Sequence, residues 1–157
     1  QHPDMIGVYA QQLINQNAMD ECTSLLTTAL ERRWDERLVL LYGEARDAQP
    51  AAQLETAEEW LARPGESPAL LLTLGRLARR NRLTDRARSY LEKSLVLGAS
   101  AAAHAELGTL FEEAGDSARA LNHCRQALEL CRNLHHPVLS RQGRAAPGTS
   151  GSNDYGY

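Results

Sequence analysis

Aromatic side chains are scarce in this chain of 157 residues, at 5% of the total, and Phe111 is the single phenylalanine. Strands pack best with aromatic and β-branched side chains, so this shortage speaks against a sheet-built core. Long apolar runs are missing too. The longest, Ala69 to Leu74, is far too short to cross a bilayer. Cysteine is limited to Cys22, Cys124 and Cys131, with no CxxC among them. Three thiols cannot all pair within one chain, and so sparse a set fits a reducing compartment with the thiols buried as small apolar groups. The formal charge of -3 gives no overall attraction to nucleic acid or an anionic membrane, although a local basic patch stays open. The chain opens at Gln1 without a charged-then-apolar leader, so a longer parent with an upstream anchor is an expectation.

What is present is Leu and Ala, the bulk of the 43% apolar content, and both favour helix. They recur in register. Leu74-Gly75 and Leu107-Gly108 lie 33 residues apart, as do Ala87 and Ala120, and Leu95 and Leu128. An earlier unit puts Tyr9-Ala10 in the Leu-Gly place, Cys22 in the small-residue place and Ala29-Leu30 at its close. A fourth, less regular unit centres on Tyr42-Gly43, with Ala57 slightly out of step. Self-similarity at this period is the signature of stacked helix pairs. A Gly or Ala in the first helix of each pair should admit the second helix closely. Cys22, Ala57, Ala87 and Ala120 should receive that contact. Leu26, Leu61, Leu91, Leu95 and Leu128 should fill the space between pairs.

The fold class expected is therefore all-α, about four stacked antiparallel helix pairs over residues 1–134. Asp116 and Thr84 are candidate N-caps, Pro50 opens a helix, and Arg63 to Pro68 is the strongest break. From 135 to 157 the apolar period is lost and Gly, Ser and Ala dominate. A disordered tail is expected, with a recognition peptide ending in Tyr157 as the alternative.

Over roughly Pro3 to Asn133 this frame resembles the tetratricopeptide family, and the resemblance implies that the pairs wind into a right-handed superhelix. More narrowly, WDERLVLLYG, the helix carrying AEEWLAR, and PALLLTLGRLARRNRLTDRARSYLEKSL resemble the carboxy-terminal region of the HemY-type family of Gram-negative bacteria. The resemblance implies an inner-membrane protein whose helical-repeat domain is associated with late haem biosynthesis. It also implies an amino-terminal anchor, which this sequence does not contain, and a soluble domain facing the cytoplasm. Haem-pathway enzymes would then be the protein partners, with a porphyrin or haem carrier as the alternative.

In tetratricopeptide stacks the first helices line a concave groove. Carried over by landmark, the resemblance places Gln11, Ile14 and Asn15 there, then Arg37, Leu40, Glu44 and Asp47. Leu72, Arg76, Arg79 and Arg80 follow, and then Ala105, Thr109, Glu112 and Glu113. Arg76, Arg79 and Arg80 share nearly one side of one helix. Guanidinium groups there could grip a peptide carboxylate or tetrapyrrole propionates, or could simply pair with Glu112 and Glu113 of the next unit.

Cys124, Cys131 and His135 form a second stripe, with His123 and His136 beside it. Thiolate and imidazole suit zinc or haem iron, and Cys131 with His135 is the best ligand pair, against an ordinary structural reading. Trp34 and Trp60 read as packing between or within pairs. His104, Glu112, Glu113 and Asp116 are scattered over helical faces. No GxGxxG after a strand, nucleophile elbow, phosphate loop or HExxH occurs, so no catalysis is expected.

Overall fold

In the computed structural model, which describes residues 3–135, the chain is all-helical. The helices are α1 (Pro3–Asn15), α2 (Met19–Arg32), α3 (Glu36–Glu44), α4 (Pro50–Glu59), α5 (Pro68–Arg80), α6 (Thr84–Leu97), α7 (Ala101–Glu113) and α8 (Ser117–His135). One 3-10 turn, Trp60–Ala62, continues α4. No strand occurs among the described residues. The expected disordered tail, with its peptide alternative, lies outside them except for the backbone of His135. None of the described helices is long and apolar enough to cross a membrane.

Side-chain caps start α3, α5, α7 and α8. The Asp35 carboxylate accepts from the Arg37 amide at 2.9 Å, Ser67 Oγ from Leu70 at 3.1 Å, and Ser100 Oγ from Ala103 at 3.3 Å. Each satisfies an amide left without a helical partner and is worth about 0.5–2 kcal/mol. Asp116 does the same for α8 through the Arg119 amide at 3.1 Å, as its position predicts. Thr84 does not cap α6. It is the first residue inside that helix, and Leu83 takes the capping place without a side-chain acceptor.

The reason lies in the turn before α6, which recurs. Asn17 and Arg82 at φ 59°, and Gly115 at φ 81°, adopt the left-handed conformation. The next amide then reaches back five residues: Ala18 to the Leu13 carbonyl, Leu83 to Ala78 and Asp116 to Phe111, at 2.9–3.0 Å. This is a Schellman closure, and it folds α1 onto α2, α5 onto α6 and α7 onto α8 as hairpins. The positions of the turns, 17, 82 and 115, keep the register of the repeat.

Glycines set the approach inside the later hairpins. A Cβ on Gly75 would lie 2.5 Å from Leu91 Cγ, and one on Gly108 would lie 3.0 Å from Cys124 Sγ. The receiving residues are one turn beyond the expected Ala87 and Ala120, and again 33 apart. In α1/α2 the Cys22 thiol donates to the Ala10 carbonyl at 3.5 Å, as the small-residue pairing anticipates. Ala57, Ala87 and Ala120 are buried, and so are Leu26 and Leu91; Leu61 and Leu95 are partly buried. Leu128 is 65% exposed, because no further described helix covers that side of α8.

The second pair departs from the scheme. The backbones of α3 and α4 do not pack closely along their lengths. Gly43 faces α5 instead: its Cβ would lie 3.0 Å from Thr73 Oγ1. That hydroxyl donates to the Val39 carbonyl at 3.0 Å. Tyr42, Gln53 and Trp60 bridge the wider gap. Tyr42 OH donates to the Gln53 carbonyl at 3.2 Å, and its ring meets Trp60 edge-on at 4.8 Å. Trp34 lies edge-on to Trp60 at 5.8 Å, so both indoles pack as expected. Trp60 sits on the 3-10 turn, just past the amphipathic helix.

The core centres on α5, where Leu70, Leu71, Leu72, Thr73, Leu74, Gly75, Leu77 and Ala78 are all buried. A helix apolar nearly all round needs neighbours on every side. Here α3, α4, α6 and α7 supply them.

Candidate functional site

The last turns of α5 place three guanidinium groups against the helices on either side. Arg76 Nε donates to Glu106 Oε1 at 3.0 Å, and Arg79 Nε to Glu106 Oε2 at 3.2 Å. One carboxylate on α7, largely shielded from solvent, thus takes two arginines. Arg79 Nη1 also reaches the more open Glu113 at 3.0 Å. Glu113 is a partner the sequence anticipates; Glu112 is exposed and makes no ion pair among the described residues. Glu106 was missed. Its signal was present, because the 33-residue image of Arg76 is Thr109, and Glu106 stands one turn before it on the same helix.

Arg80 points the other way. Its Nη2 donates to the Gly43 carbonyl at 2.6 Å and its Nη1 to the Ala45 carbonyl at 3.0 Å. Gln53 Nε2 joins it on Ala45 at 2.8 Å and also binds the Tyr42 carbonyl at 2.9 Å. These are the carbonyls that α3, which lacks a Schellman turn, leaves open. Burial, helped by Arg46, lowers the Arg80 pKa to about 10. Ordinary solution pH leaves it charged. The row therefore reads Arg80 to α3, Arg76 and Arg79 to α7, with α5 between them.

The other expected groove residues divide. Gln11 and Asn15 are exposed on α1 and bonded to each other at 3.4 Å. Thr109 is exposed and bonded to its own helix through the Ala105 carbonyl at 3.1 Å; Ala105 and Glu44 are also exposed. Arg37 is exposed at the start of α3, clasping Asp35 and reaching Asp4 on α1 at 2.8 Å. Its hydrogen bonds to Asp35 hold that carboxyl below the usual carboxylate range. Asp47 accepts from Thr23 Oγ1 at 2.8 Å and from the Gln49 amide at 2.9 Å, which ties the α3–α4 connection to α2. Leu72 belongs to the core, and Ile14 and Leu40 pack against it, so none of the three offers a free surface.

The cysteine stripe does not converge. Cys124 lies against Gly108, Cys131 is exposed, and the His135 side chain and all of His136 lie outside the described residues. Only Cys22 is buried, and burial raises its thiol pKa. The expectation of three buried thiols is thus met once; Cys124 touches α7 at Gly108 on one side yet stays exposed, as Cys131 does. No group of three or more His, Cys, Asp or Glu able to hold a metal occurs among the described residues.

His123 turns away from the stripe to face His104, Nδ1 to Nδ1 at 3.0 Å. Phe111 stacks on His123 at 5.5 Å, and Arg88 and Arg119 lie over the Phe111 ring. Burial pushes both imidazole pKa values down; His123 also lowers that of His104, while Glu92 opposes the effect at His123. Two neutral rings can share one proton in a hydrogen bond. The 19-residue separation gave no clue to this pair, because it follows neither the helical period nor the repeat.

No protein-family model matches the chain, and no curated protein matches it.

Proposed function

We propose that this chain is a non-catalytic interaction module of the tetratricopeptide kind, a right-handed superhelix that holds a protein segment in a groove lined by α1, α3, α5 and α7. The observation that carries this reading is the asymmetry of the packing. The backbone of each odd-numbered helix lies close to that of the next odd-numbered helix, whereas even-numbered helices meet only through side chains, as Tyr90 and Arg86 of α6 meet Glu58 of α4. Helices drawn together on one side and splayed on the other make a stack curve toward the drawn-together side. The arginine row on α5 supports the same inner face, since it clasps α3 and α7 at once.

The groove this implies is not a cationic trap. Arg76, Arg79 and Arg80 are engaged within the fold, and the exposed Arg37 is held by Asp35 and Asp4; the other exposed positions are Gln11, Asn15, Glu44, Ala105, Thr109, Glu112 and Glu113. Such a surface suits a polar protein segment better than a polyanion. A carboxylate partner would have to displace Asp4 from Arg37 or Glu113 from Arg79, the more open of the pairs. On the HemY-type resemblance the partners are haem-pathway enzymes, met at the cytoplasmic side of a Gram-negative inner membrane.

Site-specific photo-crosslinking tests the reading. A crosslinker at Thr109 on α7 should capture haem-pathway enzymes in Gram-negative cells, and one at Ser89, exposed on α6, should not. Equal capture from both positions would remove the groove. Capture of unrelated proteins at Thr109 alone would keep the groove and remove the haem link.

A further inference from the structure

A hollow of about 410 Å³ opens where α1, α2 and α3 meet, away from the arginine row. Its volume falls in the range of small-molecule sites, about 300–1,000 Å³. Ile6, Leu25, Ala29 and Leu38 give it aliphatic walls, and Arg32 and Arg33 stand at its edge. The repeat explains why it is there. At the matching place in α6, Ser94 bonds across to the Pro68 carbonyl at 2.9 Å. Ala29 carries no group that could reach across, and the space beside it stays open.

The charges at the edge are unbalanced. Asp35 also borders the hollow, but Arg37 clasps both of its oxygens, at 3.0 and 3.3 Å. Arg32 and Arg33 make no ion pair among the described residues. An apolar chamber with two guanidinium groups at its mouth that lack a direct carboxylate partner, Arg33 acting on Asp35 only at a distance, selects an anion that carries an aliphatic body. Guanidinium forks match a carboxylate best.

We propose that this hollow binds an aliphatic carboxylate, a fatty acid with its chain among Ile6, Leu25, Ala29 and Leu38 and its head between Arg32 and Arg33. A peptide carboxy-terminus fits less well. Its amide groups would enter a chamber whose remaining polar wall group, Thr28, already donates to the Ser24 carbonyl at 2.9 Å. Unpaired amides there would cost free energy that an acyl chain does not.

The test uses the whole chain with decanoate, decanol and decylamine, read by methyl chemical shifts and by titration. Decanoate should move the methyl signals of Ile6, Leu25 and Leu38 and bind about ten-fold more tightly than decanol, the scale of one charge-assisted contact. Decylamine should bind more weakly still. Arg32→Glu with Arg33→Glu should erase the preference for decanoate while leaving the fold intact, because both side chains are exposed. Ala29→Phe should fill the chamber and abolish all binding; should that variant fail to fold, the methyl map in the native chain decides alone. Equal affinity for decanoate and decanol, or shifts confined to methyls elsewhere, would overturn the site.

Discussion

The third and second helix pairs show two ways of ending a first helix, and only one of them is local. In α5 the chain turns through Arg82, the Leu83 amide closes on Ala78, and α6 lies against Gly75. Everything needed stands within a few residues. In α3 the chain leaves in an extended conformation at Ala45. Its open carbonyls are served by Gln53 from α4 and Arg80 from α5. This borrowed cap is less complete, since Gln53 Oε1 and Arg80 Nε are buried without a protein partner. It also makes the second pair dependent on the third. The stack is thus regular where the caps are local and welded to its neighbour where they are not.

Two glycine substitutions should separate these regions most sharply. Gly75→Ala puts a methyl 2.5 Å from Leu91 Cγ and Cδ2, in the core of the α5/α6 hairpin. Overpacking of that kind costs about 1–3 kcal/mol, more than the roughly 1 kcal/mol that alanine returns in helix propensity. Gly43→Ala meets Thr73 at 3.0–3.1 Å, a misfit of a few tenths of an ångström, and should fall within about 1 kcal/mol of zero. Urea unfolding of both variants reads the difference. A larger loss at Gly43 would mean that the α3–α5 contact, and not the hairpin, sets the stability.

The arginines give the next largest contrast. Arg80→Met keeps an apolar stem but removes the donors to Gly43 and Ala45, a loss of about 1–3 kcal/mol. Hydrogen exchange should quicken in α3 and α4 before it does in α5 and α6. Arg79→Met takes one of two arginines from Glu106, which keeps Arg76, and frees the exposed Glu113, so it should cost about 1 kcal/mol, the low end of the Arg80 range. Similar losses from the two would show that the bonds of Arg80 to α3 hold the fold no more than the pairs of Arg79 on α7.

How far the sequence anticipates this molecule follows the same line between local and borrowed. Helix content, the break at Arg63 to Pro68, the cap at Asp116 and the small residues Ala10 and Cys22 were legible, because each acts within its own turn or repeat. The partner of Gly43 was not legible. The motif Tyr42-Gly43 reads like Leu74-Gly75, yet whether a glycine faces its own hairpin or the next one depends on where α4 sits. Side-chain bulk at Tyr42, Gln53 and Trp60 decides that. Of the proposed groove, the positions Gln11, Asn15, Glu44, Thr109 and Glu112 were read as surface and are surface. The three arginines read as one cluster on one side of the helix, turned either to a partner or to Glu112 and Glu113 of the next unit, and only Arg79 meets one of those two, Glu113. They divide because Arg80, a single residue beyond Arg79, is turned about 100° around the helix toward α3.

The smallest expected effect tests the local closure itself. Asn17, Arg82 and Gly115 hold the same left-handed place in three hairpins, and only one of them is glycine. A side chain other than Gly, or at greater ease Asn, pays about 1 kcal/mol there through contact of its Cβ with the backbone. Arg82 is exposed and makes no side-chain bond among the described residues, so its replacement removes that strain and little else. Glycine in turn loosens the unfolded chain, which returns part of the gain. Arg82→Gly should therefore stabilise by about 0.5 kcal/mol with an unchanged denaturant slope, and Asn17→Gly by less. The reverse change, Gly115→Ala, should cost about 1 kcal/mol although its Cβ would meet nothing within 4 Å, so that conformation and not crowding is what the measurement reports. Destabilisation by Arg82→Gly would mean that the turn between α5 and α6 is not held as the other two are, and the regular half of the comparison would lose its common cause.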